Sequence, residues 1–145
     1  MNATGNPGAP PVVLYVEDEE DLLFLVSRRL EWEGYRVEKA MTREEAMAVL
    51  QHSRPSLAIL DLMLPDGSGL SLLEYIRGHK DLKSMPVIIL TGIGHTEAIE
   101  DGFVGGANAY LVKPVSTEKL LEAVHVVLAE QQEETAKPSA AAPKV

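Results

Sequence analysis

Five polar residues in this chain stand just beyond the ends of apolar runs: Glu17 and Asp18 after residues 12–16, Asp61 after 57–60, Thr91 after 87–90 and Lys113 after 109–112. If those runs are strands of one open parallel sheet, the five groups meet at its carboxyl edge, where such sheets bind ligands. Three carboxylates gathered there repel one another, by about 4 kcal/mol per pair at 4 Å and an effective dielectric near 20. Lys113 supplies one compensating charge. A hard divalent cation can supply the rest, since carboxylate and carbonyl oxygens with bound water are the ligands Mg²⁺ takes. Lys113 as a point charge and Thr91 as a hydroxyl donor suit phosphoryl oxygens, with the metal neutralising charge that develops during in-line transfer. The residue set therefore fits phosphoryl transfer to a carboxylate.

Taken singly, each residue has a plainer reading. An aspartate after a strand often caps its own turn, and most lysines are solvated. A strand-end threonine satisfies its own backbone, and a tyrosine such as Tyr110 is ordinary in a sheet. Convergence of the acids with Lys113 is what favours chemistry for Asp61. Asp66, in Pro65-Asp66-Gly67, reads as a turn residue rather than a ligand. The histidines, His52, His79, His95 and His125, share no ligand spacing, which argues against a metal site or a phosphohistidine relay within the chain.

The elements that must position these groups are legible as five alternations of a short apolar run with a longer amphipathic stretch, the pattern of βα units. The strands are expected at 12–16, 35–38, 57–60, 87–90 and 109–112. Four are nearly continuous apolar runs, as strands covered on both faces must be. The second alternates with Arg36 and Glu38 and reads as the edge strand. An α/β fold with a five-stranded, doubly wound parallel sheet follows.

Local signals agree. Thr42 with Glu45 forms a capping box that starts a helix running to about Gln51, and Ser116 can cap the last helix. Pro11 and Pro86 fall at strand entrances, and Gly34 stops the first helix. On a helical wheel of that helix Leu22, Leu23, Val26 and Leu30 share a face, with Phe24 nearly opposite beside Arg28 and Trp32. Phe24 packs on a neighbouring helix or serves as a docking contact for the protein that would supply the phosphoryl group. A fourth helix must fit between His95 and Gly106 with Gly102 inside it, each glycine costing about 1 kcal/mol, so it is expected to be short or mobile.

With 46% apolar and 24% charged residues the chain has the composition of a folded domain, and at 145 residues one domain is the default. Absence of cysteine removes disulfide and zinc-thiolate scaffolds. A net charge of -9 argues against direct nucleic-acid binding, and no apolar run approaches membrane-spanning length. A cytoplasmic location is expected. Residues 1–10 read as a flexible leader, 131–145 as a flexible C-terminal tail, and 11–130 as the folded unit.

From Val12 to about Leu128 the chain resembles the response-regulator receiver domains of two-component signalling. The resemblance rests on Val16-Glu17-Asp18-Glu19, Leu60-Asp61-Leu62-Met63-Leu64-Pro65-Asp66-Gly67, Leu90-Thr91-Gly92 and Gly106-Ala107-Asn108-Ala109-Tyr110-Leu111-Val112-Lys113-Pro114, four segments in register at strand ends. It implies the flavodoxin-like (βα)5 fold. It also implies that Asp61 accepts a phosphoryl group from a sensor histidine kinase or phosphotransfer protein. Asp18, Asp61 and the backbone carbonyl of Met63 would ligate Mg²⁺, Glu17 would orient or coordinate through water, and Lys113 would hold the phosphoryl group ahead of a cis bond to Pro114. Thr91 and Tyr110 take the switch positions, re-shaping a face that binds a downstream protein target. Such a domain is not an enzyme in the ordinary sense, although it catalyses its own Mg²⁺-dependent phosphorylation and dephosphorylation. The acidic pair in this family is often Asp-Asp. Here Glu17 is longer, which leaves direct or water-mediated coordination open.

Two rivals use the same residues. An Mg²⁺-dependent phosphohydrolase with a strand-end aspartate resembles its relatives in a second aspartate two positions on, where Met63 stands here. A pseudo-receiver would signal by binding alone. Only a tail is expected after the last helix, so action through a partner or as a phosphate relay follows.

Overall fold

The computed structural model describes residues 9–92 and 106–136. The apolar runs form strands β1 (Val12–Val16), β2 (Arg36–Ala40), β3 (Leu57–Asp61), β4 (Val87–Thr91) and β5 (Ala109–Val112), all parallel, in the order β2-β1-β3-β4-β5. The described helices are α1 (Glu20–Trp32), α2 (Arg43–His52), α3 (Gly69–Gly78) and α4 (Thr117–Ala136). A two-residue hairpin, Met63–Leu64 against Gly67–Ser68, lies between β3 and α3. No described helix is long and apolar enough to cross a membrane. The helix expected between His95 and Gly106 lies outside the described residues, as do residues 1–8 and 137–145.

Strand parity builds the two halves of the core. Leu14, Val16, Ala58, Leu60 and Ile89 pack with Leu50 of α2 and Leu72 and Ile76 of α3 on one face. Val13, Tyr15, Leu57, Ile59, Ile88 and Leu90 pack with Leu30 of α1 and Leu120 and Val124 of α4 on the other. A strand with helices on both sides must be apolar at every position, which is why β1, β3 and β4 read as unbroken runs. β2 lies at one edge, as its alternating charges foretold, whereas β5, also expected to be covered twice from its apolar run, forms the other edge and has no fully buried position. Because β1 and β3 are neighbours whose chains depart to different places in the sheet, the order reverses between them and opens a crevice at their carboxyl ends. Register brings those ends level: Val16 pairs with Leu60, Asp61 with Leu90, and Thr91 with Val112.

Helix termini follow the local signals in detail. Thr42 Oγ1 accepts from the Glu45 N–H at 3.0 Å, and Glu45 Oε1 accepts in return from the Met41 N–H at 2.7 Å. Ser116 Oγ accepts from the Lys119 N–H at 3.1 Å. After α1, Gly34 takes φ 101°, and its N–H and that of Tyr35 donate to Glu31 O and Leu30 O, a Schellman closure. Tyr35 is therefore still part of the helix exit, and β2 begins at Arg36 rather than at 35. Asp66 serves a more distant end than its own turn: its two carboxylate oxygens accept from the Arg43 and Glu44 N–H groups at 2.8 and 3.0 Å, capping α2. Those bonds, the one from Arg43 first, hold its carboxyl below the ordinary 3.8.

A second boundary also differs from expectation. Residues 131–136, expected to belong to a tail, are helical, because α4 continues to Ala136. Residues 131–136 contain good helix formers and no glycine or proline, and Gln131 Nε2 donates to Ser84 O at 3.2 Å.

Two residues tie the framework together without taking part in chemistry. Arg77, at the end of α3, donates to Lys83 O, Met85 O (2.7 Å), Gly106 O (2.8 and 3.0 Å) and Asn108 Oδ1 (3.0 Å), while Asn108 Oδ1 also accepts from the Val87 N–H. It joins α3 to the entrances of β4 and β5, at the opposite end of the sheet from the acids. Gly69, the first residue of α3, lies so close to the strand that a Cβ there would come within 2.2 Å of the Asp61 carbonyl oxygen. Its N–H donates to Leu62 O at 2.9 Å.

Replacing Arg77 by Met, which keeps length but no donors, should lower stability by about 2–3 kcal/mol. Urea denaturation should show this as a lower midpoint at unchanged m; an unmoved midpoint would mean water replaces the guanidinium freely. Gly69→Ala should cost roughly 1–3 kcal/mol through backbone displacement. The amide resonances of Asp61 and Met63 should shift with it, and spectra matching the wild type would rule the close approach out.

Candidate functional site

Asp61 closes β3 and is 4% exposed. One carboxylate oxygen, Oδ1, accepts from the Met63 N–H at 3.0 Å and the other, Oδ2, from Lys113 Nζ at 3.0 Å. Lys113 follows β5 and is tied to β4 by its own N–H, which donates to Thr91 O at 2.6 Å. Its ammonium also contacts both oxygens of Glu17, Oε1 at 3.0 Å and Oε2 at 3.1 Å. Glu17 follows β1, is fully buried, and is anchored by its N–H donating to Ala40 O at 2.9 Å. Asp18, next in the chain, is exposed; one ligating oxygen of each of Glu17, Asp18 and Asp61 lies within 4.8 Å of the others. The three loops thus bring together the acids and the lysine that the sequence singled out.

Charge in this cluster does not balance. Two buried carboxylates share one ammonium, and a third acid stands beside them. Burial raises the pKa of Glu17 above 4.5, the nearby Asp61 adds to the rise, and Lys113 together with the Glu19 N–H opposes it. For Lys113, burial works against its charge, but Asp61 and Glu17 outweigh that and the net shift is upward. Each partner thus reports the same fact: the carboxylates hold the lysine charged, and one lysine does not fully repay Glu17 for its desolvation. Carboxylate oxygens surrounding a gap short of positive charge fit a hard divalent cation such as Mg²⁺.

The remaining expected residues occupy graded positions around the cluster. Thr91 ends β4 and is fully buried, and its Oγ1 has no hydrogen-bond partner among the described residues. Tyr110 lies in β5, half-buried against the core on the α2 and α3 side of the sheet. Met63 exposes its side chain, 58%, and places its N–H on Asp61. The Lys113–Pro114 peptide is cis.

Two contributors escaped the sequence reading. Gly69 sets the approach of α3 to the Asp61 backbone, and its only sequence signal is a small residue directly after the Ser68 cap. Tyr15 is fully buried in β1, and its hydroxyl donates to Glu17 Oε1 at 3.4 Å. Burial first, and then the charge of Glu17, push its pKa up strongly. The available signal was parity: residues 15 and 17 project to the same side of a strand.

Comparison with known proteins agrees with this geometry. The family model for the response regulator receiver domain matches residues 13–125. The phosphate regulon transcriptional regulatory protein PhoB of Rhizobium meliloti is 39% identical over 118 residues, covering 81% of this chain and 52% of that protein. The probable transcriptional regulatory protein TcrX of Mycobacterium tuberculosis is 36% identical, over 83% of this chain and 51% of its own length. The chain therefore spans about half the length of these curated relatives. Among solved structures, a CheY-like response regulator receiver domain protein from Methanospirillum hungatei superposes with a TM-score of 0.82 at 35% identity, over 87% of this chain and 99% of that one. The chemotaxis response regulator CheY4 of Vibrio cholerae gives 0.77 at 32% identity, over 82% and 99%. With its parallel sheet in the order β2-β1-β3-β4-β5 and its acidic pocket facing one lysine, this chain belongs to the response regulator receiver family.

Proposed function

We propose that this protein is a phospho-accepting receiver in which Asp61 takes a phosphoryl group from the phosphohistidine of a sensor histidine kinase or phosphotransfer protein. The observation that carries the reading is Lys113 Nζ at 3.0 Å from Asp61 Oδ2, opposite acids clustered within 4.8 Å. In the transfer an ionised Asp61 oxygen forms the O–P bond as the donor's N–P bond breaks, and the imidazole leaves with the electron pair. No general base is needed, because the nucleophile is already a carboxylate. Lys113 holds a phosphoryl oxygen, and the buried Thr91 hydroxyl, which has no hydrogen-bond partner among the described residues, donates to another. Asp18, Asp61 and the Met63 carbonyl would hold Mg²⁺, with Glu17 beside them. The ion would offset charge on the phosphoryl oxygens during transfer.

Signalling would follow from local re-pairing. Drawing the Thr91 hydroxyl toward Asp61 moves the end of β4, and Tyr110 in β5 adjusts against the core it packs on, re-shaping a face for a downstream protein target. The location is taken to be cytoplasmic. Turnover is expected to be limited to the protein's own Mg²⁺-dependent phosphorylation and dephosphorylation.

Donor docking is supported by the outward side of α1. Phe24 is 53% exposed, Leu25 62% and Trp32 85%, and the Arg28 guanidinium lies 5.6 Å from the Phe24 ring centroid. The ring is thus partly covered by its own helix, while Leu23, Val26 and Leu30 face the core. An apolar stripe of this kind suits a protein donor.

Intact-mass measurement after incubation with Mg²⁺ and acetyl phosphate should show a gain of one phosphoryl group. Asp61→Asn should abolish it, and chelation of the metal should suppress it. Continuous release of phosphate from an ester with no stoichiometric adduct would point to a phosphohydrolase, and no adduct at all to a binding-only domain. Phe24→Ala should slow transfer from a cognate kinase several-fold and leave labelling by acetyl phosphate unchanged; equal rates from the kinase would remove α1 as the docking surface.

A further inference from the structure

We propose that Tyr15 is a positioning residue that locks the Glu17 carboxylate onto Lys113, so that Glu17 meets a bound cation in one fixed orientation. This rests on the receiver reading above and adds a determinant of cation affinity to it. β1 is otherwise built of Val and Leu, and a fully buried tyrosine among them brings a hydroxyl that must find an acceptor or remain unpaired in the core. Its acceptor among the described residues is Glu17 Oε1, at a long 3.4 Å. Spacing makes this more than proximity, since Tyr15 lies in β1 and Glu17 directly after its end, two residues on, where extended chain carries alternate side chains to one side.

The Glu17 carboxylate is consequently held from three directions. Oε1 accepts from Tyr15 and contacts Lys113, while Oε2 accepts from Lys113 and from the Glu19 N–H at 3.2 Å. With the donors Tyr15, Lys113 and Glu19 around it, the group has no free rotation about its terminal bond. Removing the phenol hydroxyl alone releases Oε1 on one side. Glu17 then keeps Lys113 and the Glu19 N–H but can pivot about them, and its orientation toward the cation is no longer fixed. Partners of this kind, which orient the residues around a metal without touching it, commonly alter affinity by tenfold or more when removed.

Tyr15→Phe retains the ring, so the core stays filled. Isothermal titration of the metal-free protein with Mg²⁺ should give a dissociation constant raised by about tenfold in Tyr15→Phe. In a Glu17→Gln background the same substitution should change nothing further, because the group that Tyr15 positions is no longer charged. A purely structural role would instead shift the melting temperature alike in both backgrounds and leave both affinities unmoved. Equal affinities of wild type and Tyr15→Phe, or equal losses with and without Glu17, would overturn the inference while leaving the receiver reading intact. A wild-type protein that neither binds Mg²⁺ nor gains phosphoryl mass would overturn both.

Discussion

Two buried carboxylates facing a single ammonium set the character of this molecule. Glu17 and Asp61 are almost wholly withdrawn from water, and Lys113 lies about equally close to both. Interactions between charges are strongest where water is excluded, so the surplus of negative charge at this place cannot be screened as it would be at the surface. An arrangement of this kind is held only because the rest of the fold makes it so. The strands that carry the groups are locked by apolar packing on both faces, and that packing supplies the free energy that tolerates an incompletely neutralised site.

The framework shows how the geometry is enforced at both ends. At the carboxyl edge, Gly69 lets α3 approach the Asp61 backbone, Asp66 caps α2 from the adjoining hairpin, and the Lys113 N–H donates to Thr91 O. At the opposite edge, Arg77 collects backbone carbonyls from the entrances of β4 and β5. Few of these bonds touch the acids. They hold the strands in the register that places Asp61 and Thr91 at neighbouring strand ends, with Glu17 and Lys113 just beyond theirs. The buried Thr91 hydroxyl at the end of β4 has no hydrogen-bond partner among the described residues.

Much of this was legible in the chain. Continuous apolar runs marked β1, β3 and β4, which are covered twice, but the same signal misplaced β5, which is the second edge strand and leaves Val112 exposed; alternating charges marked β2 as an edge, and the Thr42 and Glu45 pair marked the start of α2. Those signals are local, and local sterics and hydrogen bonding decide them. Boundaries were read less well where a neighbour intervened: Tyr35 belongs to the exit of α1 rather than to β2, and α4 runs on through residue 131 because a polar composition rich in helix formers does not by itself end a helix.

By itself the sequence determined the kind of fold, the five groups at its carboxyl edge and the chemistry those groups can support, because residue type and strand parity are local properties. Tertiary structure decided what each group is paired with. That Lys113 divides itself between Glu17 and Asp61, that Tyr15 reaches Glu17, that Asp66 serves α2 and that Gly69 must lack a side chain all depend on segments far apart in the chain, or on a bond length that no spacing encodes. Distances between strands follow from how the whole core packs, and the electrostatic balance of the site is a property of those distances.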